Sequence, residues 1–155
     1  MKLGDVLRKE RERRALTVEE VAWRLGIEAK HYEEMEAGNS PAEEWGRHLA
    51  HIAIQLQTPT ARLIAKTGKS AEARQAEGQC GRLIALNREK RGISREELGS
   101  KLGISVAEVE SVEQGNTPLE TYAPILLSFS EAIEQPVFNL FYPCGLPLEE
   151  LTDYP

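Results

Sequence analysis

The sequence predicts an all-α protein made of two tandem five-helix units related by an internal repeat. Three observations predict it. Shifting the chain of 155 residues by 77 positions lays residues 3–64 over residues 80–141 without a gap, with 18 identities in 62 aligned positions. Apolar residues recur at helical spacing, and no stretch has the alternation of a strand. A hydroxyl residue followed three positions later by glutamate precedes an apolar run at matching places in both copies. The expected division is residues 1–64 as the first unit, 65–79 as a linker, 80–142 as the second unit and 143–155 as a tail. Units of this size are close to the smallest that fold alone, so packing of one on the other would stabilise both.

Each unit parses in order. The first helix spans roughly Leu3–Arg14, and again Cys80–Arg91, with Leu3, Val6 and Leu7 or Leu83 and Ile84 on its buried face. Thr17 with Glu20, and Ser94 with Glu97, are capping boxes that open the second helix. Val21, Ala22 and Leu25, or Leu98, Gly99 and Leu102, face inward. Gly26 and Gly103 end it, because glycine accepts the left-handed C-cap conformation. Ile27 or Ile104 plugs the core and a third helix starts at once, which is a helix-turn-helix arrangement. Ser105 with Glu108 caps the third helix of the second unit, whereas Glu28 is a poorer cap in the first. Tyr32 and Met35, or Val109 and Val112, face in.

The fourth helix carries Trp45, Leu49, Ile52, Ala53 and Leu56, paralleled by Tyr122, Leu126, Phe129, Ser130 and Ile133. Its start has two readings. Ser40-Pro41 and Thr117-Pro118 read as a cap with a first-turn proline. Pro124, however, is best tolerated in a first turn, which makes Thr121 an alternative cap. Pro59 and Pro136 open a short fifth helix. The Ala-, Glu- and Arg-rich end of the linker is suited to extend the first helix of the second unit. The tail, rich in proline and acid, is expected to be irregular and to pack through Phe141, Tyr142 and Leu146.

Residues Leu16–Ile27 with Glu36-Ala-Gly38, and Ile93–Ile104 with Glu113-Gln-Gly115, carry a resemblance. Each unit resembles the Cro and phage-repressor type of helix-turn-helix family, often called the XRE family, and the resemblance covers nearly the whole chain twice. It implies sequence-specific binding of double-stranded DNA, with the third helix in the major groove and the second on the backbone. The positions it points to are Thr17, Ala29, Lys30, His31 and Glu34 in the first unit. In the second they are Arg91, Ser94, Arg95, Ser105, Val106, Ala107 and Ser111. It also implies structural ion pairs between Arg11 and Glu36 and between Arg88 and Glu113. Two such units imitate a repressor dimer if their reading helices stand one turn of DNA, about 34 Å, apart.

Charge qualifies that implication. With 19 basic and 25 acidic residues the chain carries −6, which argues against a protein that coats nucleic acid without specificity. The acid is shared by both units, and several acids fall on the third helices: Glu28, Glu33, Glu34, Glu108 and Glu110. Only Lys30 among the implied base-facing residues is a strong base reader. The arginines of the first helices read as a solvated face with pairs such as Glu10 with Arg14. The alternative function is therefore a helix-turn-helix fold kept for protein interaction, docking through its acidic third helices on a partner or on a second copy as a homodimer.

Other chemistry is thin. Glu44, His48 and His51 have metal-compatible spacing but read as a polar helix face. Cys80 stands where the first unit has Leu3 and reads as a core residue, while Cys144 between Pro143 and Gly145 is expected at the surface. No nucleophile triad, phosphate loop or carboxylate dyad is present, so no enzyme, cofactor or metal is expected. Without a membrane-length apolar run or a secretory signal, a cytoplasmic location is expected.

Overall fold

A computed structural model describes residues 1–146, and all described regular structure is helical. The α-helices are α1 (Leu3–Arg13), α2 (Val18–Leu25), α3 (Ala29–Glu36), α4 (Ala42–Leu56), α5 (Gln79–Lys90), α6 (Arg95–Leu102), α7 (Val106–Glu113) and α8 (Leu119–Ala132). The bounds of α2 and α3 recur 77 residues later in α6 and α7. The fifth element of each half is a 3-10 turn, Thr60–Leu63 and Val137–Leu140, rather than an α-helix. Runs this short are typical of the tighter 3-10 turn.

Local chemistry sets most boundaries. Glu20 donates its N–H to Thr17 Oγ1 at 3.1 Å and Thr17 donates its own to Glu20 Oε1 at 3.3 Å, which completes the first box. Ser105 and Glu108 form the same reciprocal pair. Ser94 caps Glu97 at 3.1 Å without the return bond to its own N–H. Glu28 makes no side-chain cap, as its type suggests. Gly26 and Gly103 adopt φ of 71° and 73°, the left-handed turn between the paired helices.

Three expectations about boundaries and the tail need correction. Thr121 does not cap α8. The helix begins at Leu119, and Pro124 sits inside it, where it lacks the N–H that would reach the Glu120 carbonyl. Tyr122, Ala123, Leu126 and Phe129 are buried along α8, and this apolar burial outweighs the lost bond. The linker does not extend α5, because Gly78 turns left-handed at φ 70° immediately before it. Tyr142 is 54% exposed while Cys144 is buried, the reverse of expectation, since the short 3-10 turn Tyr142–Cys144 points the thiol inward. Phe141 and Leu146 are buried as expected. The remainder of the tail, 147–155, lies outside the described residues.

The two halves share one buried cluster. The long helices α4 and α8 pack together, α2 lies on α8 and α6 lies on α4, so each half covers the other. Tyr32 of α3 stacks with Phe129 of α8, ring centroids 6.3 Å apart. Gly46 permits close approach at this seam: a Cβ there would lie 3.0 Å or less from Leu3 and Phe141. The segment 65–79 is strapped to the second half. Glu131 accepts from both the N–H and the hydroxyl of Ser70. Gln79 donates to the carbonyls of Ile64 and Glu72.

Candidate nucleic-acid interface

The paired helices α2–α3 and α6–α7 are held from behind by ion pairs, part-buried at Arg11–Glu36 and buried at Arg88–Glu113. Arg11 Nε and Nη2 donate to the two oxygens of Glu36 at 2.7 and 3.0 Å, and its Nη1 donates to the Leu16 carbonyl at 3.0 Å. Arg88 repeats the pattern on Glu113 at 2.5 and 3.2 Å and on the Ile93 carbonyl at 2.9 Å. One guanidinium thus joins the first helix, the loop before the second helix and the end of the third. Gly4 and Gly81 complete the joint, since an added Cβ would meet the backbone of Met35 and Glu36, or of Val112 and Glu113.

The implied contact residues fall into three groups. Lys30, Glu34 and Ala107 are exposed on α3 and α7, and Ala29, Val106 and Ser111 are half-buried beside them. Thr17, Ser94 and Ser105 stand at helix N-termini, each accepting a backbone N–H. The Ser105 N–H in turn holds the Glu108 carboxyl below its ordinary value. Each residue of the third group makes a hydrogen bond to another part of the chain. His31 Nε2 shares a hydrogen bond of 3.0 Å with the Tyr122 hydroxyl, edge-on to its ring. Arg95 donates from Nε to Glu113 at 2.9 Å, which keeps it firmly protonated. Arg91 donates to the Gln57 carbonyl at 2.8 Å, at the C-terminus of α4 in the other half.

The exposed charge of α3 and α7 is mostly acidic. Glu33 and Glu34 flank Lys30 on α3, and Glu108 and Glu110 are exposed on α7. Glu44 lies 3.5 Å from His48, and His51 on the same helix is held below its usual pKa, first by burial and then by His48 and Arg47.

Two pairs of residues with structural roles have no local signature. Glu43 accepts the N–H groups of Leu3 and Gly4 at 3.2 and 2.6 Å, and Glu120 accepts those of Cys80 and Gly81 at 3.2 and 2.9 Å. Each carboxylate caps a helix about 40 residues away, with the helix dipole favouring its charge. Arg14 donates to the Ile133 carbonyl at 2.5 Å as Arg91 does to Gln57, so each half caps the long helix of the other. The signal that marks both pairs is identity across the 77-residue offset.

Residues 2–52 match the family model of a helix-turn-helix domain. No curated protein and no solved structure matches the chain. The matched segment contains α1–α3, the Arg11–Glu36 pair and most of α4, about a third of the chain. A helix-turn-helix domain supports a DNA-binding regulator, with DNA as its partner. Among the described residues no helix is long and apolar enough to cross a membrane.

Proposed function

We propose that the protein is a transcriptional regulator of the Cro and phage-repressor type, a repressor that acts by occupying double-stranded DNA. The observation that carries this reading is the α2–Gly26–α3 turn, with its complete capping box, inside the segment that matches a helix-turn-helix domain. In this reading α3 presents Lys30 to base edges, and the Thr17 end of α2 meets the phosphate backbone. The proposal extends to a second unit at residues 80–142, in which α6 and α7 recur in register and Ala107 and Val106 offer apolar contact to a thymine methyl. The chain would then work as a covalent imitation of a repressor dimer, in the cytoplasm.

A second reading is favoured by one observation. His31 is engaged within the protein and Arg91 and Arg95 are each tethered through one nitrogen, while Glu33, Glu34, Glu108 and Glu110 face outward. An acidic reading surface suits a basic protein partner or a copy of the chain joined through basic residues elsewhere on its surface. Selection from random duplex DNA separates the two. Under the DNA reading a consensus is enriched, affinity falls steeply with salt as phosphate counterions are released, and Lys30→Ala weakens binding. No consensus and no duplex binding at low salt would leave the interaction reading in its place.

A further inference from the structure

The 77-residue offset also relates two surface grooves, each between the first helix of one half and the turn after the long helix of the other. The groove beside α1 encloses 340 Å³ and includes Glu10, Arg13, Gln135, Asn139 and Tyr142 in its walls. Glu10 offsets part of the positive charge beside it, accepting from Arg13 at 3.1 Å and from Arg14 at 3.0 Å. The groove beside α5 encloses 520 Å³ and carries Asn87, Lys90, Arg91, Arg62, Thr58 and Gln57. Asn87 occupies the position of Glu10, and Arg62 that of Asn139. One exchange removes the acid and the other adds a cation.

The consequence is an uncompensated cluster. Among the described residues no carboxylate lines this groove, and no ion pair involves Arg62, Lys90 or Arg91. Arg91 is oriented by the Gln57 carbonyl at 2.8 Å, and Arg62 by the Lys66 carbonyl at 3.4 Å. A carbonyl acceptor leaves the charge of each guanidinium uncancelled. All three cations are exposed, so solvent and salt screen their mutual repulsion, and an anion seated among them would be attracted by each. This happens in a chain of net charge −6, whose twin groove carries a carboxylate.

We infer that the groove beside α5 binds the phosphate group of a small molecule. Its volume lies in the range of small-molecule sites. The groove is open to solvent with the buried Thr58 in its wall, and its size suits a compact dianion. Arginine forks and a lysine point charge are the side chains that recognise such an oxyanion. Because the walls come from both halves, the occupant would tie the segment after α4 to α5 as an effector does. The inference does not depend on DNA binding.

The test is a titration of the isotope-labelled full chain with inorganic phosphate against sodium chloride of equal ionic strength, followed by amide resonances. Saturable shifts at residues 57–62 and 87–91 are expected with phosphate and not with chloride. Asn87→Glu and Lys90→Gln should each weaken phosphate binding about tenfold, the loss of one charge-assisted hydrogen bond or its equivalent. Asn87→Glu should fold because glutamate already stands at the matching position of α1, and Lys90→Gln changes an exposed side chain. Equal phosphate binding by both variants, or shifts no larger than with chloride, would overturn the site. Loss of duplex binding in these variants without any phosphate response would assign the groove to DNA and overturn the small-molecule inference as well.

Discussion

Replacing Glu113 with glutamine tests the joint that holds the second pair of helices. The Glu113 side chain is 4% exposed and that of Arg88 is 9% exposed. The carboxylate accepts three charge-assisted hydrogen bonds, two from Arg88 and one from Arg95. Glutamine offers a single acceptor oxygen and turns an NH2 donor toward a donor fork, so Arg88 is left charged and short of acceptors. Removing one partner of a buried pair costs about 3–5 kcal/mol. Arg88 keeps the Ile93 carbonyl at 2.9 Å and a solvent-facing Glu89 at 3.7 Å, which places the expected loss near the lower end, about 3 kcal/mol. For a chain of this length that corresponds to a fall in Tm of about 6–12 °C. Glu36 binds a single arginine and is 10% exposed, so Glu36→Gln should cost less, about 2 kcal/mol. The assay is urea unfolding of both variants and the parent, followed by circular dichroism. A loss below about 1 kcal/mol for Glu113→Gln, or a larger loss for Glu36→Gln, would refute the reasoning. The combined change Arg88→Met with Glu113→Leu should recover most of the loss, because an apolar pair leaves no buried charge unpaired.

Three further outcomes are expected. Ala15 adopts φ 54° where the matching residue is Gly92 at 66°; Ala15→Gly should therefore raise stability by up to about 1 kcal/mol in urea unfolding, and a loss would contradict the strain argument. Gly81→Ala places a Cβ 2.8 Å from the Glu113 carbonyl oxygen, with the Val112 carbonyl closer still; it should cost at least the 1–3 kcal/mol, roughly, of ordinary overpacking, and a parent-like Tm would show that α5 can shift. Burial pushes the thiols of Cys80 and Cys144 above their ordinary pKa. The unfolded chain then releases these protons first, so stability falls as pH rises past about 8.5, by at most about 1.4 kcal/mol per pH unit for each thiol. Cys80→Ala should flatten that slope between pH 8 and 10, and an unchanged slope would remove the thiol as its cause.

Much of the fold was legible because its signals are local. The capping hydroxyls, the left-handed glycines and the apolar spacing act through neighbours within a turn or two, and Thr17, Ser94, Ser105, Gly26 and Gly103 all hold the helix ends they mark. The Arg11–Glu36 and Arg88–Glu113 pairs, which span 25 residues, were reached through a resemblance and through identity between the copies. The candidate interface was less legible. Arg91, Arg95 and His31 look available in the sequence, and each is engaged by a group that the chain brings from elsewhere: Gln57, Glu113 and Tyr122.

The same division holds for the charge and the repeat. By itself the sequence determined an all-α chain, the capped starts of α2, α6 and α7, the glycine turns and a net charge of −6, since these depend on composition and on contacts a few residues apart. The tertiary structure decided which cations remain unpaired, that each half caps the other, and that Pro124 is carried inside α8. Those outcomes depend on burial and on partners 18 to 119 residues away. A sequence records which groups are present, whereas the free energy of each charge depends on what lies beside it in space.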